Sequence, residues 1–143
     1  MSFKEWNAAI MLAGQAVVSG WLIHDAVTTP NGPGPVEAVA TRLLYAVGFM
    51  VVFNVVATVA VTLWFGVVRR KVLEDERADE RDQGIAAKSM RNAYYVASVG
   101  GACTLLLLAL GVDPALAAYA LFAALMLGAA ADSVSKLVYY RLG

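Results

Sequence analysis

Four long apolar stretches dominate this chain of 143 residues and decide what it can fold into. A helix needs about 20 mainly apolar residues to cross the hydrocarbon core of a bilayer, and charges inside that core are costly enough to be rare. Each stretch approaches or exceeds that length and carries almost no charge. We predict an all-α integral membrane four-helix bundle that forms a single domain over residues 1–143, with spans at about 6–27, 43–68, 93–112 and 115–138.

Two other interpretations of the apolar stretches fit less well. The helices of a soluble bundle carry a polar face, and these stretches show none over most of their length. A cleaved signal peptide needs a basic leading region and a small-residue cleavage site, whereas the first stretch follows one lysine and lacks a clean site. We therefore expect the first stretch to be a membrane span that is not cleaved.

The basic residues predict how the chain is oriented. Lys and Arg near span ends mark the cytoplasmic side of a membrane. With four spans, both termini and the connection between the middle spans lie on one side, and that side holds ten of the eleven basic residues, Arg42 being the other. We predict an inner (cytoplasmic) membrane protein with both termini in the cytoplasm, and Trp and Tyr residues near the span ends agree with this N-in, C-in topology.

The two connections on the opposite side differ in character. Residues 28–37 are rich in Pro and Gly and cannot continue a helix. Between the third and fourth stretches only the sequence GVDP remains, in which Asp113 can cap a helix and Pro114 can start one. We expect the third and fourth spans to form a tight antiparallel hairpin.

The remaining charge is concentrated between Arg69 and Asn92, which holds seven of the eleven basic and six of the eleven acidic residues. In the segment DERADERD, helical periodicity places the acidic residues on one face and the arginines on another. Other interpretations are a divalent cation site, although a row of carboxylates along one helix does not converge on an ion, and a disordered loop, although the flanking spans favour helix at both ends.

We interpret this block as a charged cytoplasmic helical hairpin between spans 2 and 3, with its turn at Gln83 and Gly84. Antiparallel arms about that turn bring acidic residues of the first arm opposite basic residues of the second. Exposed ion pairs contribute only about 0–1 kcal/mol each, so they would fix the register of the arms more than their stability. The predicted contacts of the hairpin join Asp79 to Lys88 and Glu76 to Arg91.

Candidates for chemistry are few. His24 is the only histidine, so one chain cannot supply the two imidazoles of a cytochrome b type haem site. With Asp25 it forms either a proton or metal site or, as we prefer, a polar pair at the level of the lipid headgroups. Cys103 is the only cysteine and cannot form an internal disulfide. We predict no catalytic residues, no metal site and no cofactor, and we do not expect an enzyme.

Polar and small residues within the spans predict packing contacts. Asn54 lies near the middle of the second span, where we expect an interhelical hydrogen bond. Asp132 precedes Lys136 by four residues and predicts an ordinary helical ion pair. Small residues at a spacing of four allow close helix packing, within the chain or between chains. They form two ladders, Ala93, Ala97 and Gly101 in the third span and Ala120, Ala124 and Gly128 in the fourth.

A short sequence carries a resemblance to a known class of proteins. Residues 79–95, DERDQGIAAKSMRNAYY, contain Asp-Glu-Arg followed by Ile-x-x-Lys. This resembles a pattern between the middle two spans of small prokaryotic four-span integral membrane proteins that form a domain-of-unknown-function family. The resemblance implies a membrane location and four spans, and it implies no activity. The residues that match are Asp79, Glu80, Arg81, Ile85 and Lys88.

These features favour a protein that acts by contact. We predict a small inner-membrane protein that serves as an accessory, assembly or regulatory subunit, with the lipid bilayer as its surroundings and no nucleic acid partner. Whether it forms a homo-oligomer or joins a larger membrane complex stays open. The alternative is a small oligomeric transporter or channel, which the absence of a charged residue at mid-membrane disfavours.

Overall fold

Four long helices make up the fold. The computed structural model describes residues 3–28, 34–69 and 80–142. All four helices are long and apolar enough to cross a membrane, which confirms the predicted all-α four-helix architecture of a multi-pass membrane protein. Each helix begins before its predicted span, and α1, α2 and α4 also end after it, whereas α3 ends at Ala109, three residues before the predicted end of the third span. The helices are α1 (Phe3–Thr28), α2 (Val36–Arg69), α3 (Glu80–Ala109) and α4 (Pro114–Arg141).

The helix α4 is the centre of the bundle. It packs against each of the other three helices, and α1 and α2 also pack against each other. Within the described residues, α3 contacts α4 and neither α1 nor α2. The fold is therefore a three-helix core of α1, α2 and α4, with α3 lying along another face of α4.

Successive helices run in opposite directions and give the bundle two distinct ends. At one, here called the connection end, α1 and α3 finish and α2 and α4 begin; at the other, the terminal end, α1 begins and α4 finishes. The main apolar core lies between α1, α2 and α4 in the half nearer the connection end. Its buried residues are Val18, Leu22, Val39, Leu43, Ala46, Met50, Ala115, Tyr119 and Phe122.

The turn between α3 and α4 is built from local signals. Gly111 has a φ of 78°, which a glycine adopts without strain, and its N–H donates to the Leu108 carbonyl. The N–H of Val112 donates to the Leu107 carbonyl, and together these bonds form a Schellman motif that ends α3. Asp113 Oδ1 then accepts from the N–H of Ala115 at 2.7 Å and caps α4. The predicted tight antiparallel hairpin is confirmed.

Small residues bring α3 and α4 into close contact within the chain. A Cβ placed on Gly100 would overlap Ala124, and one placed on Gly128 would lie 3.2 Å from the Ala97 Cβ. The ladder prediction is therefore confirmed for Ala97, Ala124 and Gly128. Gly101 does not pack within the described chain, because no described atom lies within 4 Å of a Cβ placed there, and its packing between chains stays a prediction. The neighbouring Gly100 occupies the interface instead.

The charged block differs from the prediction. The helix α3 begins at Glu80 and runs without interruption through Gln83 and Gly84, so the predicted turn at those residues is wrong. Glu80 and Asp82 occupy the first turn of α3, where acidic side chains interact favourably with the positive end of the helix dipole.

The predicted contacts of the hairpin lie partly outside the described residues. Those ranges do not include Glu76 and Asp79, while Lys88 and Arg91 are exposed on α3. The pairings of Asp79 with Lys88 and of Glu76 with Arg91 stay predictions. Their register no longer follows from a turn at residues 83 and 84.

Candidate functional site

A carboxylate, a guanidinium and a phenol meet at the connection end and tie three helices together. Asp25 comes from α1, Arg42 from α2 and Tyr119 from α4. Arg42 Nη1 donates to both oxygens of Asp25, at 3.1 Å to Oδ1 and 2.9 Å to Oδ2. The Tyr119 hydroxyl donates to the same Oδ2 at 2.6 Å, a length typical of a hydrogen bond to a charged acceptor. We call these three residues the connection clamp.

The helices themselves oppose the two charges of the connection clamp. Asp25 lies in the last turn of α1, where the carbonyl end of the helix dipole disfavours a carboxylate. Arg42 lies near the start of α2, whose amide end disfavours a cation, although this effect weakens beyond the first turn. Each charged side chain thus gains from the other the favourable electrostatic interaction that its own helix dipole does not provide. Pairing explains why both are found so close to the apolar core.

The geometry of the clamp suits a structural lock better than a reactive centre. One nitrogen of Arg42 contacts both carboxylate oxygens, whereas a fork-shaped arginine contact uses two nitrogens in parallel. The Asp25 and Arg42 side chains keep 20% and 32% of their exposure, whereas Tyr119 is buried and belongs to the apolar core. Asp25 therefore has both oxygens engaged beside a closed core, and the clamp fastens the connection end of α1, α2 and α4.

Sequence reasoning found the members of the clamp but not their meeting. It placed Asp25 with His24 at the headgroup level, counted Arg42 as the one basic residue on the opposite side, and included Tyr119 only among the Tyr residues near the span ends. In the structure His24 is exposed, and only Asp25 of that pair joins the clamp. The positions of these residues along the predicted spans could have shown their meeting. Asp25 lies near the end of the first span and Arg42 lies directly before the second, so the connection between the spans brings both residues to one depth.

Polar contacts at the terminal end join α3 to α4. Lys136 Nζ donates to Asp132 Oδ2 at 2.6 Å within α4, which confirms the predicted ion pair. Across the interface, Asn92 Nδ2 donates to Ser135 Oγ at 3.1 Å and to the Tyr139 hydroxyl at 3.4 Å. These bonds extend the small-residue interface of α3 and α4 toward the terminal end.

Two side-chain amides lie inside the bundle near the middle of α1 and α2. Gln15 is only 7% exposed, and its Oε1 accepts no hydrogen bond from a described residue. Asn54 Oδ1 is buried and is equally without a donor among the described residues, so the predicted interhelical bond to this oxygen is not formed. One step nearer the terminal end, Thr58 Oγ1 donates to Asn7 Oδ1 at 3.4 Å across α1 and α2.

The remaining candidates from the sequence are not brought together. Cys103 lies exposed on the surface of α3. Among the residues that the structure describes, no three His, Cys, Asp or Glu side chains cluster as a metal site would require, and His24 with Asp25 gains no third ligand of these types. Comparison of the chain with protein family models, curated proteins and solved structures finds no match.

Proposed function

We propose that this protein is a small subunit of the inner membrane that acts through contacts with another membrane protein, in an accessory, assembly or regulatory role. The observation that carries the proposal is an uneven distribution of burial. Of the most apolar stretch of α4, 33% of the residues are buried within the chain, compared with 11% for α2 and 6% for α3. The chain thus uses α4 to hold itself together and leaves most of α2 and α3 for their surroundings.

The exposed surface of α2 suits a second helix. It carries a valine-rich strip, defined here as the α2 valine face. In a helix a valine side chain has one strongly preferred rotamer, so packing against it costs little side-chain entropy. Helix association within a bilayer depends on such van der Waals packing, since lipid is as apolar as the side chains. The residues of the face are Val51, Val52, Val55, Val56 and Val59.

The connection clamp also supports a role without transport. Proton-coupled and ion-coupled carriers rely on ionisable groups within the membrane whose charge can change or move. Asp25 is bound by Arg42 and Tyr119, and Asp132 is bound by Lys136. Both carboxylates also lie toward the ends of their helices rather than at mid-depth. These contacts favour a fixed structure over a moving charge.

Orientation and location form part of the proposal. Both termini are placed in the cytoplasm on the strength of the ten-to-one distribution of basic residues. The resemblance of residues 79–95 to small prokaryotic membrane proteins supports the inner membrane. Within that motif, Ile85 is buried and Lys88 is exposed, so the isoleucine contributes to helix packing and the lysine faces outward.

Photocrosslinking in living cells tests the proposal. A photoreactive phenylalanine analogue replaces Val55 on the α2 valine face or, as a matched control, Val99 on α3. The two valines are exposed to a similar extent, 58% and 64%. We expect position 55 to yield a discrete protein adduct, identifiable by mass spectrometry, and position 99 to yield lipid adducts. Lipid adducts alone at position 55 would contradict the proposal, whereas an adduct of twice the 15.1 kDa chain mass would identify the partner as a second copy.

One observation favours the alternative of a small oligomeric transporter or channel. The buried oxygens of Gln15 and Asn54 are polar groups in the middle of the bundle, and such groups in membrane proteins often line substrate pathways. Reconstitution into liposomes separates the two functions. We expect ion and proton fluxes equal to those of empty liposomes. A flux that disappears in the Asn54→Ala variant would favour the transporter.

A further inference from the structure

We infer that Gln15 and Asn54 form a site that binds water inside the bundle, at mid-depth between α1, α2 and α4. The ligand class is a small hydrogen-bond donor, because the two atoms that need partners, Gln15 Oε1 and Asn54 Oδ1, are acceptors. This site is separate from the connection clamp and does not depend on the proposed contact function.

The packing of α1 on α2 places the two amides at the same depth. The Phe53 ring of α2 packs against Gly14 of α1, where an added Cβ would lie 2.6 Å from Phe53 Cε1. Gln15 and Asn54 directly follow these two residues in the sequence. Gln15 also lies 12 residues from Phe3 and 13 from Thr28, which is the middle of α1. Two buried acceptors therefore lie at one depth in the middle of the bundle.

The residues of α4 at that depth carry small side chains. Asp25 and Tyr119 contact each other and so share one depth. Gln15 lies ten residues from Asp25 along α1, and Ala129 lies ten residues from Tyr119 along α4, so these two residues also lie at similar depths. Gly128 of α4 faces Ala97 of α3, but residues 129–131 that follow it read Ala-Ala-Ala. Such small side chains leave room that the larger residues of the apolar core fill elsewhere. A water needs a polar and sufficiently roomy site, and this depth is where α4 offers the least bulk.

Energetics require a partner for these oxygens. An unsatisfied polar group in hydrocarbon is costly enough that buried polar atoms in proteins are nearly always hydrogen-bonded, to protein or to ordered water. Gln15 is only 7% exposed, so a donor on a neighbouring molecule cannot reach Oε1 without opening the bundle. Internal water satisfies both acceptors with no change of the helices.

The polarity of the interior indicates the side from which water enters. Toward the connection end, the amides meet the apolar core, beginning with Val18 and Met50. Toward the terminal end lie the partly exposed polar pair Asn7 and Thr58. We place the entrance at the terminal end. The apolar core and the connection clamp close the other side, so the site is a polar recess rather than a continuous pore.

The reactivity of introduced cysteines tests this inference on the full-length protein in liposomes. In a Cys103→Ser background, Gln15→Cys and Asn54→Cys are exposed to 2-aminoethyl methanethiosulfonate. The cysteine thiolate attacks this small water-soluble reagent, forming a mixed disulfide and releasing methanesulfinate. A thiol in apolar surroundings stays protonated and inert. The matched control is Met50→Cys, which lies four residues from Asn54 on α2, is 7% exposed and belongs to the apolar core.

We expect positions 15 and 54 to react at least about tenfold faster than position 50, since a hydrated thiol ionises and a dry one does not. Reagent supplied at the terminal end should react faster than reagent supplied at the connection end. Equal, slow reaction at all three positions would overturn the inference, because the interior would then be dry throughout. Equal, fast reaction would overturn it as well, because the apolar core would then be no drier than the proposed site.

A second measurement covers the case in which a cysteine variant folds poorly. Asn54→Leu replaces the amide by an apolar side chain of similar size. If Asn54 Oδ1 were dry and unsatisfied, removing it would raise the melting temperature in detergent. We expect the melting temperature to fall, because leucine displaces bound water from Gln15. A rise in the melting temperature of Asn54→Leu would contradict a hydrated site.

Discussion

The hydroxyl of Tyr119 lies 2.6 Å from Oδ2 of Asp25, and this single contact joins positions 94 residues apart in the sequence. Tyr119 belongs to the apolar core through its ring and reaches the charged end of the bundle through its oxygen. A side chain with both properties suits the boundary between an apolar interior and a polar interface. The contact therefore fixes where α4 sits against α1.

Removing the Tyr119 hydroxyl should weaken the bundle while preserving its core. We expect Tyr119→Phe to lower the free energy of unfolding by about 1–3 kcal/mol, the range for a hydrogen bond to a charged group and for a buried polar partner left unmade. Thermal or SDS unfolding in mild detergent measures the change. The control is Tyr45→Phe on the exposed surface of α2, which should have almost no effect. Similar losses in both variants would argue against a role for the Asp25 contact.

The pairing of Asp25 with Arg42 predicts coupled effects in a double-mutant cycle. Asp25→Ala and Arg42→Ala each remove one member of the pair and leave the other charge at a helix end whose dipole disfavours it. The loss of stability in the double variant should therefore be smaller than the sum of the losses in the two single variants. A coupling of about 0.5–2 kcal/mol is expected, and added salt should reduce it because both side chains are partly exposed.

The comparison pair for that cycle is Asp132 and Lys136, which lie one turn apart in α4. Helical pairs at this spacing typically contribute about 0.2–0.5 kcal/mol. Unfolding in detergent measures both cycles. If the coupling within the connection clamp does not exceed that of the helical pair, the clamp adds nothing beyond an ordinary surface interaction.

Two adjacent glycines of α3 should respond in opposite ways to the same substitution. Gly100→Ala places a methyl group against Ala124 and should destabilise the protein by about 1–3 kcal/mol, as overpacking usually does. Gly101→Ala meets no described atom within 4 Å and should be neutral or stabilising by up to about 1 kcal/mol through helix propensity. Equal effects would place the interface of α3 and α4 elsewhere.

Cysteine labelling tests the proposed orientation. In a Cys103→Ser background, single cysteines replace Gly32, in the connection between α1 and α2, or Gln83, near the start of α3. An impermeant maleimide added to intact cells should label position 32 and spare position 83, because the side with ten of the eleven basic residues is expected to be cytoplasmic. Labelling of position 83 but not position 32 would invert the topology.

The helices were predictable because their signals are local. Each signal involves residues that are close in the sequence. These signals are the length of the spans, the helix-ending Gly111 with the helix-capping Asp113, and the spacing of Asp132 and Lys136. The turn at Gln83 and Gly84 was predicted incorrectly, since a glycine followed by apolar residues is tolerated inside a helix. The acidic first turn at Glu80 and Asp82 was the better signal for where α3 begins.

The contacts that the sequence did not predict depend on which helix faces lie together. Gly100 and Gly101 are equivalent by composition, and only the rotation of α3 against α4 decides which one enters the interface. The meeting of Asp25, Arg42 and Tyr119 likewise depends on three helices sharing one end. Gln15 was not identified from the sequence, because burial of one side of α1 is not visible in a stretch that is apolar almost all round.

The dependence of α3 on α4 has a consequence for biogenesis. A ribosome delivers the helices in order, so α1 and α2 can pair as soon as both have entered the bilayer. Within the described fold, α3 packs against neither α1 nor α2, so it gains its packing partner only after α4, the last of the four helices, has been synthesised. Nascent chains that stop before α4 therefore carry α3 as a span without a packing partner among the described helices.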